Sequence, residues 1–404
     1  LFACRGGALL PAFMSPQVLD KPLVLRLIGL MVLAHLAFSG LRLTLTLWAV
    51  ARGMTPLGVG VLLSLLMVMP MLTAVAMGRW SDRVGFRPPV RRGLSMLLAG
   101  GLLAAWAPQE GVMGLGCVLI GWGVTMVQVA VTQAIGQAAG PAGVTWSYSG
   151  LSVGFSLSGF IGPLVAGVLI DTVGHGLTFL AMCATLPVGL LLLARTDSPL
   201  LRPTPRPADE AQAAAPGSLL VHGPIRVALI TAALVALSWD LFNFFMPVHA
   251  AEMGLSATAI GSLAAAYSAG SLAVRLLLGR ISAQIDEARI LTASLLLTVL
   301  VYALTPLASS FAVLLGLSLL TGLILGIGQP LAVSLLHHNA PPGRSGEAFG
   351  MRSLIVSASQ TFLPAIFGAL GSALGTGPVF WVVAVAILLA LAVARPTRIA
   401  NSTR

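Results

Sequence analysis

The chain is 404 residues long, 57% hydrophobic and only 8% charged, with a mean hydropathy of +0.98. A soluble globular domain carries about 25% charged residues, so a water-soluble fold is excluded and a polytopic membrane protein is indicated. The formal net charge of +10 does not point to nucleic acid, because the arginines sit in short segments between apolar runs, not on a separate polar domain.

The first segment, residues 1–22, is read as a tail. It starts at Leu1, with Met14 as an alternative start, and its apolar run is too short for a secretory signal. About twelve runs long enough to cross roughly 30 Å of hydrocarbon follow. In the first half they lie near residues 23–47, 57–77, 93–107, 112–135, 147–170 and 175–194, the third being short enough to extend into the loop. In the second half they lie near 225–248, 258–278, 288–308, 311–336, 349–371 and 376–394. Between the halves Pro199, Pro203, Pro205, Pro207 and Pro216 stand with Asp209 and Glu210. Proline at that density breaks helices and the polarity resists burial. The expected division is a tail (1–22), a six-helix half (23–195), a linker (196–224), a second six-helix half (225–395) and a tail (396–404).

Orientation follows from the basic residues. One side collects Arg5, Lys21, the Arg79–Arg92 cluster, Arg195, Arg202, Arg206, Arg280, Arg289, Arg344, Arg395, Arg398 and Arg404. The other holds Arg52 beside Glu110, Asp171 and Glu252. Both termini are therefore expected in the cytoplasm.

Nothing reads as an enzyme: there is no Gly-x-Ser-x-Gly elbow, phosphate-binding loop or His-Glu-x-x-His motif. No cofactor or metal is expected. Cys117 and Cys183 fall inside apolar runs, read as small fillers. The adjacent His337 and His338 point to different helix faces, which disfavours joint metal binding.

The densest charge is Gly78-Arg79-Trp80-Ser81-Asp82-Arg83-Val84-Gly85-Phe86-Arg87, a polar turn between two apolar runs. Its beginning recurs 201 residues later as Gly279-Arg280-Ile281-Ser282. At the same offset Gly53 meets Gly254, Thr55 meets Ser256, Gly60 meets Gly261, Gly121 meets Gly322 and Gln128 meets Gln329. Pro141 meets Pro342, Ser158 meets Ser359, Pro163 meets Pro364, Gly167 meets Gly368, Gly174 meets Gly375 and Phe179 meets Phe380. Paired prolines and glutamines at one ungapped offset indicate a parallel internal repeat of membrane helices.

The Gly-x-x-x-Asp-Arg-x-Gly-x-Arg pattern and the repeat together resemble the major facilitator superfamily. The resemblance implies an all-α fold of about twelve transmembrane helices in two pseudo-symmetric six-helix halves. It implies a monomeric transporter of a small molecule, working by alternating access in a bacterial inner membrane. Gly78, Asp82, Arg83, Gly85 and Arg87 would be the gating loop. Asp82 is expected near the start of span 11, with Arg83 and Arg344 as partners, holding that end shut. Phe86 stands where the family usually has a second basic residue.

Gly162, Pro163 and Gly167 in span 5 resemble the core of the signature of the drug:proton antiporter branch, in which proline bends the helix and small residues admit a close neighbour. Plain tight packing is the alternative. That branch usually carries an arginine in span 4; here Gly121 to Gln128 holds none. Spans 1, 4, 7 and 10 would line the cavity, making Ser39, Thr125, Gln128, Asn243, Phe244 and Gln329 substrate candidates. His35, Ser39 and Arg42 share one face of span 1, and Asp240 and Asn243 one face of span 7. Charge at that depth is costly and usually faces a cavity or a partner, so Asp240, Arg42 and His35 are the proton-coupling candidates. Arg275 is placed near enough to a helix end to snorkel. Proton-coupled efflux is the first expectation. The alternatives are uptake of a polar metabolite, or a non-transporting sensor, which should carry an appended signalling domain.

Overall fold

A computed structural model describes residues 19–106, 109–196, 198, 201, 223–282, 287–339 and 345–394. These residues are helical apart from short turns, and they make twelve crossings. Span 1 is Lys21–Ala51, span 2 Pro56–Val84 and span 3 Arg87–Trp106. Helical hydrogen bonding then runs unbroken from Glu110 to Cys183 and resumes at Thr185–Ala194. A straight helix of 74 residues would be about 110 Å long, so this one must fold back. The Tyr148 hydroxyl reaches the Thr132 carbonyl at 3.2 Å, fixing one reversal. Gly174, at φ +79°, makes the other. The legs are spans 4, 5 and 6. The linker read at 196–224 lies mostly outside the described residues.

Span 7 is Gly223–Glu252, interrupted by a π-helical turn at Leu241–Phe245. Span 8 is Ala257–Ser282, span 9 Glu287–Leu304, span 10 Phe311–Asn339, span 11 Ser345–Leu374 and span 12 Thr376–Ala394. Span 1 is 31 residues, about 46 Å, which exceeds the hydrocarbon thickness. Spans 9 and 12 turn Leu296, Leu297, Leu300, Val385 and Leu389 outward, as lipid-facing helices do. The loop expected at Gly78–Arg87 is mostly helix: span 2 continues to Val84, and the turn is only Gly85 and Phe86. Its charges sit on the last helical turn because Gly85, at φ +78°, ends the helix.

The repeat is visible in the backbone. Four of the five glycines with positive φ are the offset pairs Gly53 with Gly254 and Gly174 with Gly375. Each follows or opens a turn at the end opposite the arginine cluster. The caps repeat too: Thr55 accepts from Gly58 N at 3.3 Å, and Ser256 from Ala259 N at 3.2 Å.

At that opposite end the halves meet backbone to backbone. A Cβ on Gly60 would overlap the Pro364 carbonyl, and one on Gly261 the Pro163 carbonyl. A Cβ on Gly167 would overlap the Ala257 carbonyl, and one on Gly368 the Pro56 carbonyl. These contacts form two crossings, span 2 on span 11 and span 5 on span 8, related by the repeat offset. Each is closed by a cap from the other half. Asp171 accepts from Ala257 N at 3.1 Å and Thr258 N at 2.7 Å; its equivalent, Ser372, accepts from Leu57 N at 3.0 Å. Towards the basic end, Thr361 still reaches the Met67 carbonyl at 3.2 Å. Farther along, a Cβ on Gly78 or Gly350 would meet nothing within 4 Å among the described residues. Spans 2 and 11 are thus shut at the opposite end.

Overpacking a tight contact costs about 1–3 kcal/mol, a roughly 5- to 150-fold shift between two states. Gly60→Ala or Gly261→Ala should therefore open the shut end. Maleimide labelling of a cysteine placed at Ile260, applied from that side, should rise by at least several-fold. Unchanged labelling in both variants would contradict the closure described.

Candidate functional site

Spans 1 and 7 cross near the pseudo-two-fold axis, and their polar residues are offset partners. The Arg42 Nη2 donates to Asn243 Oδ1 at 3.2 Å, joining equivalent positions 201 residues apart. Asn243 in turn donates to the Trp239 carbonyl at 2.9 Å. The Arg42 guanidinium lies 5.2 Å from the Phe244 ring centre, 5.8 Å from Phe38 and 5.9 Å from Trp239. An aromatic surround of this kind favours a desolvated cation.

The next pair is Ser39 and Asp240. Ser39 Oγ lies 3.0 Å from the Ser158 carbonyl and 3.1 Å from the Leu36 carbonyl. Asp240 is fully buried, and its Oδ2 accepts a short hydrogen bond from Ser359, the offset partner of Ser158. Its Oδ1 has no hydrogen-bond partner among the described residues. Arg42 hydrogen-bonds Asn243 and makes no direct ion pair with Asp240. Burying an ionised carboxylate without a hydrogen-bonded charge partner is costly.

Span 7 adds a feature that span 1 lacks. The Met246 N–H closes a wide turn on the Leu241 carbonyl. Pro247 follows; it has no N–H to give the Asn243 carbonyl four residues back and its ring crowds that carbonyl. The helix relaxes by widening, and π turns of this kind recur at functional sites. Pro247 was the signal in the sequence, and reading Asp240 and Asn243 on regular α spacing passed over it.

The other candidates divide. His35 packs edge-on to Phe155 of span 5, ring centres 4.8 Å apart, with its buried Nδ1 unpartnered; it lies within the first half. Thr125 spends its hydroxyl on the Gly121 carbonyl of its own helix at 2.9 Å. Gln128 is exposed. Phe244 is buried beside Arg42. Gln329 accepts from Arg352 Nη2 at 2.6 Å. Arg352 was missed because it lies only a few residues inside the apolar run of span 11 and reads as a boundary charge. Arg275 does not snorkel: its Nη1 donates to Ser152 at 2.9 Å and Ser156 at 3.4 Å, both on span 5 of the other half. The serines offer acceptors nearer than the helix end.

The motif residues have clear contacts. Gly162 packs against Ser39 of span 1, while Pro163 and Gly167 meet span 8. At the basic end Asp82 and Arg83 are exposed. Arg344 lies outside the described residues, as do the side chains of His337, His338 and the first turn of span 11. Ser81 donates to Gln133 of span 4 at 2.7 Å, and Arg92 lies 4.7 Å from the Trp80 ring centre. Arg87 donates to the Thr196 carbonyl at 3.2 Å and the Ala194 carbonyl at 3.0 Å, capping span 6. Between the shut end and the Arg42–Asn243 bond a narrow cleft remains, lined by Ser39, Thr46, Pro163 and Leu263, with about 20 Å³ of room, enough for about one water.

The family model of the Major Facilitator Superfamily matches residues 27–249 and, again, residues 228–403. The chain belongs to this superfamily. It is therefore a secondary membrane transporter and not an enzyme. Among solved structures, it is similar to a peptide transporter POT in complex with sulfate, at TM-score 0.75 and 15% identity, over 95% of this chain and 97% of that one. A POT family transporter in complex with 5-aminolevulinic acid matches at TM-score 0.74 and 13% identity, over 92% of this chain and 94% of that one. A bacterial homologue of the human lysosomal transporter Spinster, inward-facing and occupied, matches at TM-score 0.74 and 15% identity, over 95% and 98%. At these identities the likeness is one of fold. No curated protein sequence matches the chain.

Ser359→Ala would strand both oxygens of Asp240, and a buried polar group left unpaired costs about 1–3 kcal/mol. Ser158→Ala, its offset counterpart, removes only hydroxyl bonds to backbone carbonyls and should cost about 0.5–1.5 kcal/mol. Denaturant unfolding in detergent should rank Ser359→Ala as the more destabilised; the reverse order would show that the Asp240 contact is not the stronger one.

Proposed function

We propose that this transporter couples substrate movement to protons through Asp240 and that it works in the direction of efflux. The observation that carries the reading is the fully buried Asp240 carboxyl, bonded on one oxygen by Ser359 and unpartnered on the other. A proton on that oxygen cancels the buried charge, and rearrangement of the halves then exposes the group to one side of the membrane or the other. Arginine cannot release its proton, so Arg42 acts through its field and through its bond to Asn243. A potential of about 100 mV contributes about 2.3 kcal/mol for each charge carried across, enough to drive accumulation.

Support for efflux comes from Gly162, Pro163 and Gly167, which resemble the antiporter motif of the drug:proton branch and lie against the shut end. Such a bend and close packing would limit proton leak. The second reading is uptake of a polar metabolite. It is favoured by span 4, whose Gly121–Gln128 stretch offers Thr125 and Gln128 but no arginine. The arginine-rich end would be cytoplasmic by the positive-inside rule, with the chain in a bacterial-type inner membrane.

In proteoliposomes, a panel of amphipathic dyes and small metabolites with and without a pH gradient should identify a driven substrate. Asp240→Asn should then abolish gradient-driven transport and keep substrate exchange. Full gradient-driven transport in Asp240→Asn would remove its carrier role. If Asp240→Asn with Arg42→Gln restores activity lost in either single variant, the two form a structural pair. For orientation, protease on the cytoplasmic side should cut between Leu200 and Ser218; cutting only from the outside would reverse the topology.

A further inference from the structure

Among the described residues, Arg42, Arg275, Arg352 and Asp240 are charged side chains packed between helices within the spans. Among the described residues, the hydrogen-bond partners of the arginines are neutral: Arg42 bonds an asparagine, Arg275 two serines and Arg352 a glutamine.

Two of the arginines converge on one face of span 10. Arg352 of span 11 donates to Gln329 at 2.6 Å. Arg275 of span 8 directs its Nε at the Gly326 carbonyl, 3.5 Å away. Gly326 and Gln329 are three residues apart and share a face, roughly 5–6 Å between neighbouring positions. Arg352 keeps its buried Nε without a hydrogen-bond partner among the described residues. A planar donor group with a free edge matches a carboxylate or a similar oxyanion. The first half has no such feature: the offset equivalents of Arg275 and Arg352 are Ala74 and Leu151. The asymmetry was not imposed by the repeat and places the positive site in the second half only.

We propose that the substrate is a small organic anion whose acidic group is held by Arg352 and Arg275 against span 10. Its apolar part would lie towards the rings around Arg42, where Trp239 and Phe38 offer an aromatic surface. This rests on the transport reading above and names its substrate class. It also accounts for the lone carboxylate: Asp240 would repel the anion when ionised and not when protonated, which links the proton to the substrate by charge alone.

The test uses the full chain in detergent with two probes of equal size and opposite charge, 3-phenylpropionate and 3-phenylpropylamine. Thermal-unfolding shifts should show stabilisation by the carboxylate and none by the amine. Arg352→Gln should weaken the half-saturating concentration at least tenfold, Arg352→Lys should recover part of it, and Arg275→Gln should weaken it independently. Equal or stronger stabilisation by the amine, no stabilisation by the carboxylate, or a carboxylate response unchanged in both Gln variants would overturn the proposal. No gradient enters this measurement, so its failure leaves proton coupling by Asp240 standing, and failure of the coupling experiment leaves anion binding standing.

Discussion

The structure depends on backbone meeting backbone at glycine. Where span 2 crosses span 11, and span 5 crosses span 8, a carbonyl of one half occupies the space that a Cβ would need in the other. In a lipid-embedded protein the hydrophobic effect does little to press helices together, and close packing of small residues takes over. Such contacts are strong only at the right separation, so they hold one arrangement of the halves or release it. The two crossings are copies of one another, related by the repeat offset.

The candidate site lies where the copies differ. Arg42 faces Asn243 across the axis, and Ser39 corresponds to Asp240. The residues that touch them, Ser158 and Ser359, are both serine, while of their partners only Asp240 is an acid. At the shut end Asp171 and Ser372 perform the same capping of a helix from the other half, but only Asp171 carries charge. A carboxylate at a helix N-terminus gains about 0.3–1 kcal/mol when exposed, so the two crossings need not be equally tight. The charged residues therefore bias a frame whose geometry is set by uncharged ones.

Much of the frame was legible because the repeat preserves residues with backbone roles. The pairs Gly53 with Gly254 and Gly174 with Gly375 were matched by offset and hold left-handed conformations in both copies. The turns were less legible. Hydropathy marks where a segment leaves the hydrocarbon, not where its hydrogen bonding stops, so helices continue through the Arg79–Arg83 charges and through the reversals between spans 4, 5 and 6. The site was legible where charge stood alone in an apolar run, as with Arg42 and Asp240. It was not legible at Arg352 or Arg275, which sit near helix ends where a charge has two outlets, the interface or a polar neighbour. Only the neighbouring helix decides between them, and Ser152, Ser156 and Gln329 are distant in sequence. The π turn was hidden for a different reason: Pro247 announces a distortion without saying which way the helix relaxes.

If Asp240 carries the proton as proposed, its state and the closure of the shut end are one equilibrium. Spin labels on cysteines placed at Leu57 and Leu374, both exposed and on opposite halves, report that closure directly once the native cysteines are replaced. Distance distributions measured between pH 5 and pH 8 should contain a short and a long population. Their ratio should change with pH in the otherwise wild-type chain and stay constant in Asp240→Asn. A ratio that ignores pH in the wild-type background, or that follows it equally in Asp240→Asn, would contradict the account.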